Sequence, residues 1–263
     1  MKEDNREIRS EAALNDSALR YFVRDGFVVV KKLCDPARLE EMRELARRNL
    51  APLIEPVEFE ADLGYPGAPK DQKAEGGRTS RRLLSACDRD PAFLHWATAP
   101  ILRNYLQVLL ESEEIAMSQV HHNCIMTKHP GFSSVTMWHQ DIRYWNFLRP
   151  NLVSVWLALG DEIKENGALM MIPGSHHLAL TEDRLDEDLF LRPDLPKNRD
   201  MIESAVVVEL EAGDVVFFNC NVFHAAGKNF SGDIKLSLVT TYHAPDNQPI
   251  VGTRSATLPA VDI

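Results

Sequence analysis

The stretch TMWHQDIRYW, residues 136–145, places His139 and Asp141 two apart among β-branched and aromatic residues. Side chains two apart on an extended strand point to one face, so this imidazole and this carboxylate can reach the same ion. A third donor, His224, follows the apolar run DVVFFN in the segment NVFHAAGKN. Two imidazoles and one carboxylate on one face describe a non-haem Fe(II) site that leaves coordination positions open for a chelating co-substrate and oxygen. Zinc accepts the same donors. A histidine beside an aspartate is also a common structural pair, so the triplet gains meaning only from what surrounds it.

Short apolar runs dominate from about residue 115 onward: AMSQVHHNCIM, SSVTMWHQD, LVSVWLALGD, GALMMIPGS, AVVVELEAGDVVFFN and KLSLVTTYHA. Broken by Gly, Pro, Asn and Asp, they predict a sandwich or jelly roll rather than alternating strand-helix units. Asn166-Gly167 and Ala212-Gly213-Asp214 read as tight hairpin turns. Residues 17–50 read as helix, strand (FVVVKKL) and helix. Asp35 caps the second helix ahead of Pro36, and Leu39, Met42, Leu45 and Leu50 approximate one face. A shorter helical segment is expected over 90–111. The chain is therefore expected to be a single domain, 1–263, with a mostly helical elaboration at 17–114 on a jelly-roll core at 115–245. Residues 1–16 are expected to be loose. The Gly-, Pro- and charge-rich stretch 61–82 is longer than most connections and reads as a lid, a binding loop or a disordered segment. The polar stretch 181–200 is expected at the rim.

Composition narrows the function class. With 263 residues, a net charge of −10 and no apolar run near the length of a membrane span, the chain suits neither general nucleic-acid binding nor a bilayer. Cys34, Cys87, Cys124 and Cys220 lack metal or disulfide-framework spacing. The charged start has no apolar stretch behind it, so the expected location is cytoplasmic.

WHQD, then VWLALGDEIKENGALMMIPGSHH, then FHAAGKN followed by a basic residue resembles the phytanoyl-CoA dioxygenase-like family of Fe(II)- and 2-oxoglutarate-dependent oxygenases over residues 17–245. The resemblance implies a mainly β fold with flanking helices, a double-stranded β-helix (jelly roll, cupin-like). It also implies iron held by His139, Asp141 and His224, with 2-oxoglutarate and O2 as co-substrates. The family carries an arginine where this chain has Lys235. Lysine offers a compact point charge in place of a two-pronged fork. By the resemblance, Lys235 with Ser237 is expected to hold the distal carboxylate of 2-oxoglutarate, Lys128 being the alternative cation. QVHHNCIMTKHPGF is similar to the ectoine hydroxylase branch, which makes Gln119 and Asn123 candidates for the co-substrate pocket; satisfied amides within a sheet are the other reading. Trp156 either flanks 2-oxoglutarate or packs as core. The resemblance makes none of the remaining histidines at 121, 122, 129, 176, 177 and 243 a ligand, although one can orient a ligand from behind.

Because Asp141 is present, iron has no vacancy for a halide, and hydroxylation is expected over halogenation. Arg143 and Trp145 continue the spacing of His139 and Asp141, so both are expected to meet substrate. The loop GRTSRR adds Arg78, Arg81 and Arg82, which suit carboxylates or phosphates unless they form a solvated charge run. YPGAP and GGRTSRRLL together with WHQDIRYW resemble the hydroxylases of 3-deoxy-D-manno-oct-2-ulosonic acid (Kdo) in lipopolysaccharide. That likeness implies an anionic small-molecule or glycolipid substrate and peripheral contact with the cytoplasmic face of the inner membrane. Another anionic metabolite, an acyl-CoA, and a non-catalytic metal-binding jelly roll stay open as alternatives.

Overall fold

Alternation along the strands sets the architecture seen in the computed structural model, which describes residues 7–9 and 16–263. The first half of the chain forms β1 (Glu7–Arg9), α1 (Asp16–Asp25), β2 (Phe27–Lys31), α2 (Pro36–Leu50), β3 (Val57–Phe59), β4 (Ser80–Leu84), α3 (Ala86–Arg89), α4 (Pro91–Ala97) and α5 (Pro100–Leu109). The second half forms β5 (Ala116–Ser118), β6 (Cys124–Lys128), β7 (Thr136–His139), β8 (Val153–Ala158), β9 (Leu169–Met171), α6 (Pro196–Glu203), β10 (Val206–Val208), β11 (Val215–Asn219), β12 (His224–Ala226), β13 (Lys235–His243) and β14 (Val261–Asp262).

Ten strands make a large sheet in the order β1-β2-β11-β8-β13-β6-β4-β3, with β5 paired to β13 and β14 to β5. Four make a small sheet in the order β10-β9-β12-β7. From β6 to β13 the chain passes repeatedly between the two sheets, which is the winding of a double-stranded β-helix. The expected fold class stands.

The large sheet is buried on both faces, which is why its strands read as near-continuous apolar runs rather than alternating ones. Val28 and Val30 of β2, Val155 and Leu157 of β8, and Val215 and Phe217 of β11 pack with Met42, Trp96 and Leu106 of the helices. Their neighbours Phe27, Val29, Trp156, Val216 and Phe218 turn inward to meet Leu169, Met171 and Val208 of the small sheet. The helices of residues 16–109 thus cover the back of the sheet and leave its front to the small sheet and the site. Asp35 caps α2 as expected, accepting from the backbone N–H groups of Ala37 and Arg38 at 3.0 and 3.2 Å.

Three sequence expectations need correction. The segment 17–114, expected to be mostly helical with one strand at FVVVKKL, also holds β3 and β4, and β2, β3 and β4 all belong to the large sheet. Asn166-Gly167 and Ala212-Gly213-Asp214 are not hairpin turns, because each lies on a crossover between sheets: β8 to β9 and β10 to β11. Of the stretch read as loose, Glu7–Arg9 pair in parallel with β2; the expectation for residues 1–6 and 10–15 lies outside the described residues. No helix among the described residues is long and apolar enough to cross a membrane.

Candidate metal centre and its two cavities

His139 ends β7 and His224 begins β12, and the two are directly opposed in the antiparallel register of the small sheet. Their ring centroids lie 4.2 Å apart. After Gln140 the chain leaves the strand and enters a 3₁₀ turn, Asp141–Tyr144, pinned by the Ile142 N–H donating to the Cys220 carbonyl at 3.1 Å. That turn, not strand alternation, aims Asp141: its Oδ1 lies 3.7 Å from His139 Nε2 and 3.6 Å from His224 Nε2. All three side chains are buried, and one ligand atom from each lies within 4.8 Å of the others.

The tautomers follow from the backbone. His139 Nδ1 donates to the Met137 carbonyl at 2.8 Å and His224 Nδ1 to the Val222 carbonyl at 3.0 Å. A carbonyl only accepts, so each Nδ1 carries a proton and each Nε2 is the ring nitrogen turned toward Asp141. Burial, and then the neighbouring His224, hold the His139 imidazole well below its ordinary value, which keeps it neutral at pH 7. Two imidazoles and a carboxylate on one side only are the donor set of a non-haem iron centre, and the residues fit Fe(II). Behind them, Ser154 Oγ reaches Asp141 Oδ2 at 3.5 Å and His122 Nδ1 at 3.2 Å. His122 Nε2 stands 3.4 Å from Asp141 Oδ1.

Two cavities meet at this centre, and Arg82, His122, His139 and Asp141 line both. The inner one runs between the sheets and ends in Arg81, Lys128 and Lys235. Arg81 donates to Ser134 Oγ at 2.7 Å and Thr136 Oγ1 at 2.9 Å and lies 3.4 Å from a Glu60 oxygen. Lys235 does not stand free: its Nζ donates to Glu162 Oε2 at 2.8 Å. Ser237 Oγ and Trp156 Nε1 donate to the other Glu162 oxygen at 2.6 and 2.8 Å. Glu162, which the sequence reading did not single out, is fully buried beneath three donors.

The outer cavity has aromatic walls, Tyr65, Tyr144 and Trp145, with Arg82, His121 and Arg254. Tyr65, from the long 61–82 connection, meets Tyr144 hydroxyl to hydroxyl at 3.2 Å and the Phe190 ring edge-on at 5.6 Å. Phe190 belongs to the 181–200 stretch expected at the rim, so it and the 61–82 connection come together over His139, with Phe190 6.1 Å from its ring. Arg254 comes from beyond residue 245, where no core was expected. His121 and the backbone N–H of Asn146 both bind Ser255 Oγ at 2.8 Å and hold that segment in place.

The remaining candidates separate cleanly. Gln119 donates to the Pro259 carbonyl at 2.7 Å and Asn123 accepts from the Cys87 N–H at 2.9 Å, and neither lines a cavity beside the triad. His122 turns the chain with a φ of 47°, and β6 starts only at Cys124, so His122 and Met126 take the inward positions instead. Arg81 and Arg82 lie on β4, not in a loop, with Arg82 beside Glu58 at 3.4 Å. Arg78 is exposed and stacks on Phe59 at 4.7 Å, away from the centre. Arg143 lies over the Phe190 ring at 3.6 Å and lines neither cavity, because the 3₁₀ turn breaks the alternation that would have aimed it inward. Trp145 does reach the outer cavity, packed on Phe147 and Leu152.

Comparison with known proteins agrees with this geometry. The chain is 24% identical over 273 residues to an ectoine dioxygenase of Nocardia farcinica, covering 93% of this chain and 87% of that one. It is 22% identical over 244 residues to phytanoyl-CoA dioxygenase 1 of Oryza sativa, covering 83% and 85%. Among solved structures, EctD from S. alaskensis with 2-oxoglutarate and 5-hydroxyectoine superposes with a TM-score of 0.74 at 19% identity, covering 91% of this chain and 79% of that chain. The epimerase SnoN with Fe3+ and alpha ketoglutarate gives 0.71 at 23%, covering 92% and 88%. Residues 22–237 match the phytanoyl-CoA dioxygenase (PhyH) family, and with a buried His-Asp-His triad that fits iron between two cavities, the chain belongs to that family of iron- and 2-oxoglutarate-dependent dioxygenases.

Proposed function

We propose that the chain hydroxylates a C–H bond of an anionic small molecule, and that the sugar acid Kdo, free or on its glycolipid, is the substrate to test first. The observation that carries the reading is the pair of cavities sharing one centre. The inner one offers a cationic end to an anionic co-substrate; the outer one offers aromatic walls and two guanidinium groups to a second molecule. Iron bound at the triad supplies oxygen activation coupled to oxidative decarboxylation of 2-oxoglutarate to succinate and CO2, the second oxygen atom entering the substrate as a hydroxyl.

This chain's own residues do the rest. Trp156 and Leu169 wall the inner cavity and exclude water from the keto acid. Arg82 and Arg254 attract and orient a carboxylate in the outer cavity. Tyr65, Tyr144 and Phe190 close over the centre and hold the target carbon against it. The Kdo reading is supported by the sequence resemblance and by these arginines; for a lipid-borne substrate the enzyme would work against the cytoplasmic face of the inner membrane without spanning it.

The test is succinate release from the iron-loaded protein with 2-oxoglutarate and oxygen, with and without Kdo, Kdo-bearing lipid A, and unrelated carboxylates. Kdo-dependent succinate and a product heavier by one oxygen atom are expected. Turnover with another anion but none with Kdo moves the substrate, and no succinate under any condition leaves a binding protein.

A further inference from the structure

We propose that Glu58 sets substrate specificity: it accepts hydrogen bonds from hydroxyl groups, so that the outer cavity takes a polyhydroxylated acid over a plain carboxylic acid, an inference that rests on reading that cavity as the substrate site. Glu58 lies on β3, the edge strand of the large sheet, directly opposite Arg82 in the register of β3 and β4. The pairing shifts between Glu58 and Phe59, and a bulge of this kind re-aims the side chains beside it. Glu58 and Arg82 share one face of the sheet, and both line the outer cavity.

This carboxylate is matched in charge but not in hydrogen bonds. Its Oε1 stands 3.4 Å from Arg82 Nε and 3.7 Å from Arg81 Nε. Yet Oε1 is buried and accepts no hydrogen bond, and neither Nε donates one. A carboxylate and a guanidinium paired for structure commonly meet through two parallel N–H···O bonds. Buried polar atoms left without partners cost stability, so each needs an explanation. Glu162 shows the contrast, its two oxygens taken by Lys235, Ser237 and Trp156. Glu60, whose Oε1 also lacks a donor, lines neither cavity and faces no ligand. Apart from Asp141, which is turned to the metal, Glu58 is the one carboxylate lining the outer cavity.

Charge decides which donor it meets. The Arg, Asp and Glu side chains lining the outer cavity are Glu58, Arg82, Asp141 and Arg254. With Asp141 committed to the metal, two guanidinium groups stand against the Glu58 carboxylate, an excess of one positive charge that a ligand carboxylate balances. An ammonium donor at Glu58 would add another cation beside Arg82, whereas a hydroxyl donates without adding charge. An ionised carboxylate has two oxygens and about four lone-pair sites, enough for two adjacent hydroxyl groups at once. Tyr65, Tyr144 and Trp145 wall the same cavity and offer apolar surface to the C–H faces of a ring. The ligand class is a sugar acid, with its carboxylate toward the arginines and a vicinal diol toward Glu58.

The experiment compares Kdo and D-glucuronate with tetrahydropyran-2-carboxylate, which keeps a six-membered ring and its carboxylate and lacks every hydroxyl. Binding to Mn(II)- and 2-oxoglutarate-loaded protein without oxygen is followed by titration calorimetry. Wild type is expected to bind at least one sugar acid about 10- to 100-fold more tightly than the hydroxyl-free acid, the usual worth of hydrogen bonds to a charged acceptor. This wild-type comparison does not depend on how any variant folds. Glu58→Gln keeps the shape, and Glu58→Asp keeps the charge but withdraws it by one methylene. Each is expected to remove most of the preference while the hydroxyl-free acid binds as it does to wild type. A preference that survives in both variants, affinities for both kinds of acid that fall together, or a wild type without the preference overturns the role of Glu58 and leaves the outer cavity as the substrate site. A wild type that binds none of the three acids overturns the substrate reading, and the role of Glu58 with it.

Discussion

His139 and His224 face each other across β7 and β12 in strict register, each with its Nδ1 proton spent on the carbonyl two residues before it. The same local device, repeated on two strands, points both Nε2 atoms at Asp141. Removing either imaging partner of this pair deletes a donor and leaves an apolar gap, so His139→Ala and His224→Ala are each expected to lose stoichiometric iron. Ser154→Ala, which only loosens Asp141 from behind, is expected to weaken iron about tenfold, in line with the effect of outer hydrogen bonds on metal sites. Metal content after equilibrium dialysis against Fe(II) checks both; equal retention in all three would detach the triad from the metal.

Much of this centre was legible in the sequence because metal donors are few in type and the strand period is simple. His139, Asp141 and His224 were singled out by residue type and spacing and made ligands by the family resemblance, although Asp141 arrives through a 3₁₀ turn that the strand argument does not contain. What was not legible depended on where a strand begins. The run QVHHNCIM reads as one strand, yet the left-handed His122 delays β6 to Cys124 and moves the inward pair from Gln119 and Asn123 to His122 and Met126. Glu162 in GDEIKEN looks like any loop carboxylate until the crossover between sheets carries it beneath Lys235. Arg254 lies in a tail with no periodic signal and is brought to the outer cavity by the Ser255 hydroxyl together with backbone hydrogen bonds such as Ile250 N–H to the Asn146 carbonyl at 2.8 Å.

That hydroxyl gives a pH dependence. His121 bonds Ser255 Oγ at 2.8 Å, and burial, then His122 and Arg254, push its imidazole down to about 3. Unfolded histidine titrates near 6.5. The folded value is the lower one, so the unfolded chain binds more protons in acid, and the stabilisation present above pH 6.5 is lost as pH falls below it. Between pH 7 and pH 5 this one residue accounts for about 2 kcal/mol. Urea unfolding of metal-free protein at the two pH values should show that loss, and His121→Gln should remove it; an unchanged difference in the variant refutes the assignment.

Arg254→Ala tests the outer cavity without touching the centre. Arg254 lines the aromatic chamber and not the inner one. If anionic substrate meets it there, the variant raises the substrate KM about tenfold, the loss of one charge-assisted hydrogen bond, and leaves 2-oxoglutarate affinity and iron content where they were. Steady-state kinetics on the substrate identified by succinate release decide it. A fall in 2-oxoglutarate affinity instead would merge the two chambers into one.

Glu162 offers the sharpest separation of folding from binding. Its two oxygens collect Lys235, Ser237 and Trp156, and it also exchanges backbone hydrogen bonds with Leu210 at 2.8 and 2.9 Å, tying the crossover after β8 to the strand end after β10. Glu162→Gln keeps the shape and removes the charge. An unpaired buried ammonium then remains, and breaking a buried pair this way typically costs 3–5 kcal/mol, a general figure applied here as about that much. The freed Lys235 faces the inner cavity opposite Lys128 in the register of β6 and β13, so that end of the cavity gains a cation for a ligand carboxylate. Saturating 2-oxoglutarate is therefore expected to raise the melting temperature of Mn(II)-loaded Glu162→Gln by more than it raises that of wild type, while 2-oxopentanoate raises both equally. Equal shifts with 2-oxoglutarate would mean that Lys235 and Glu162 act only as a structural pair, remote from the co-substrate.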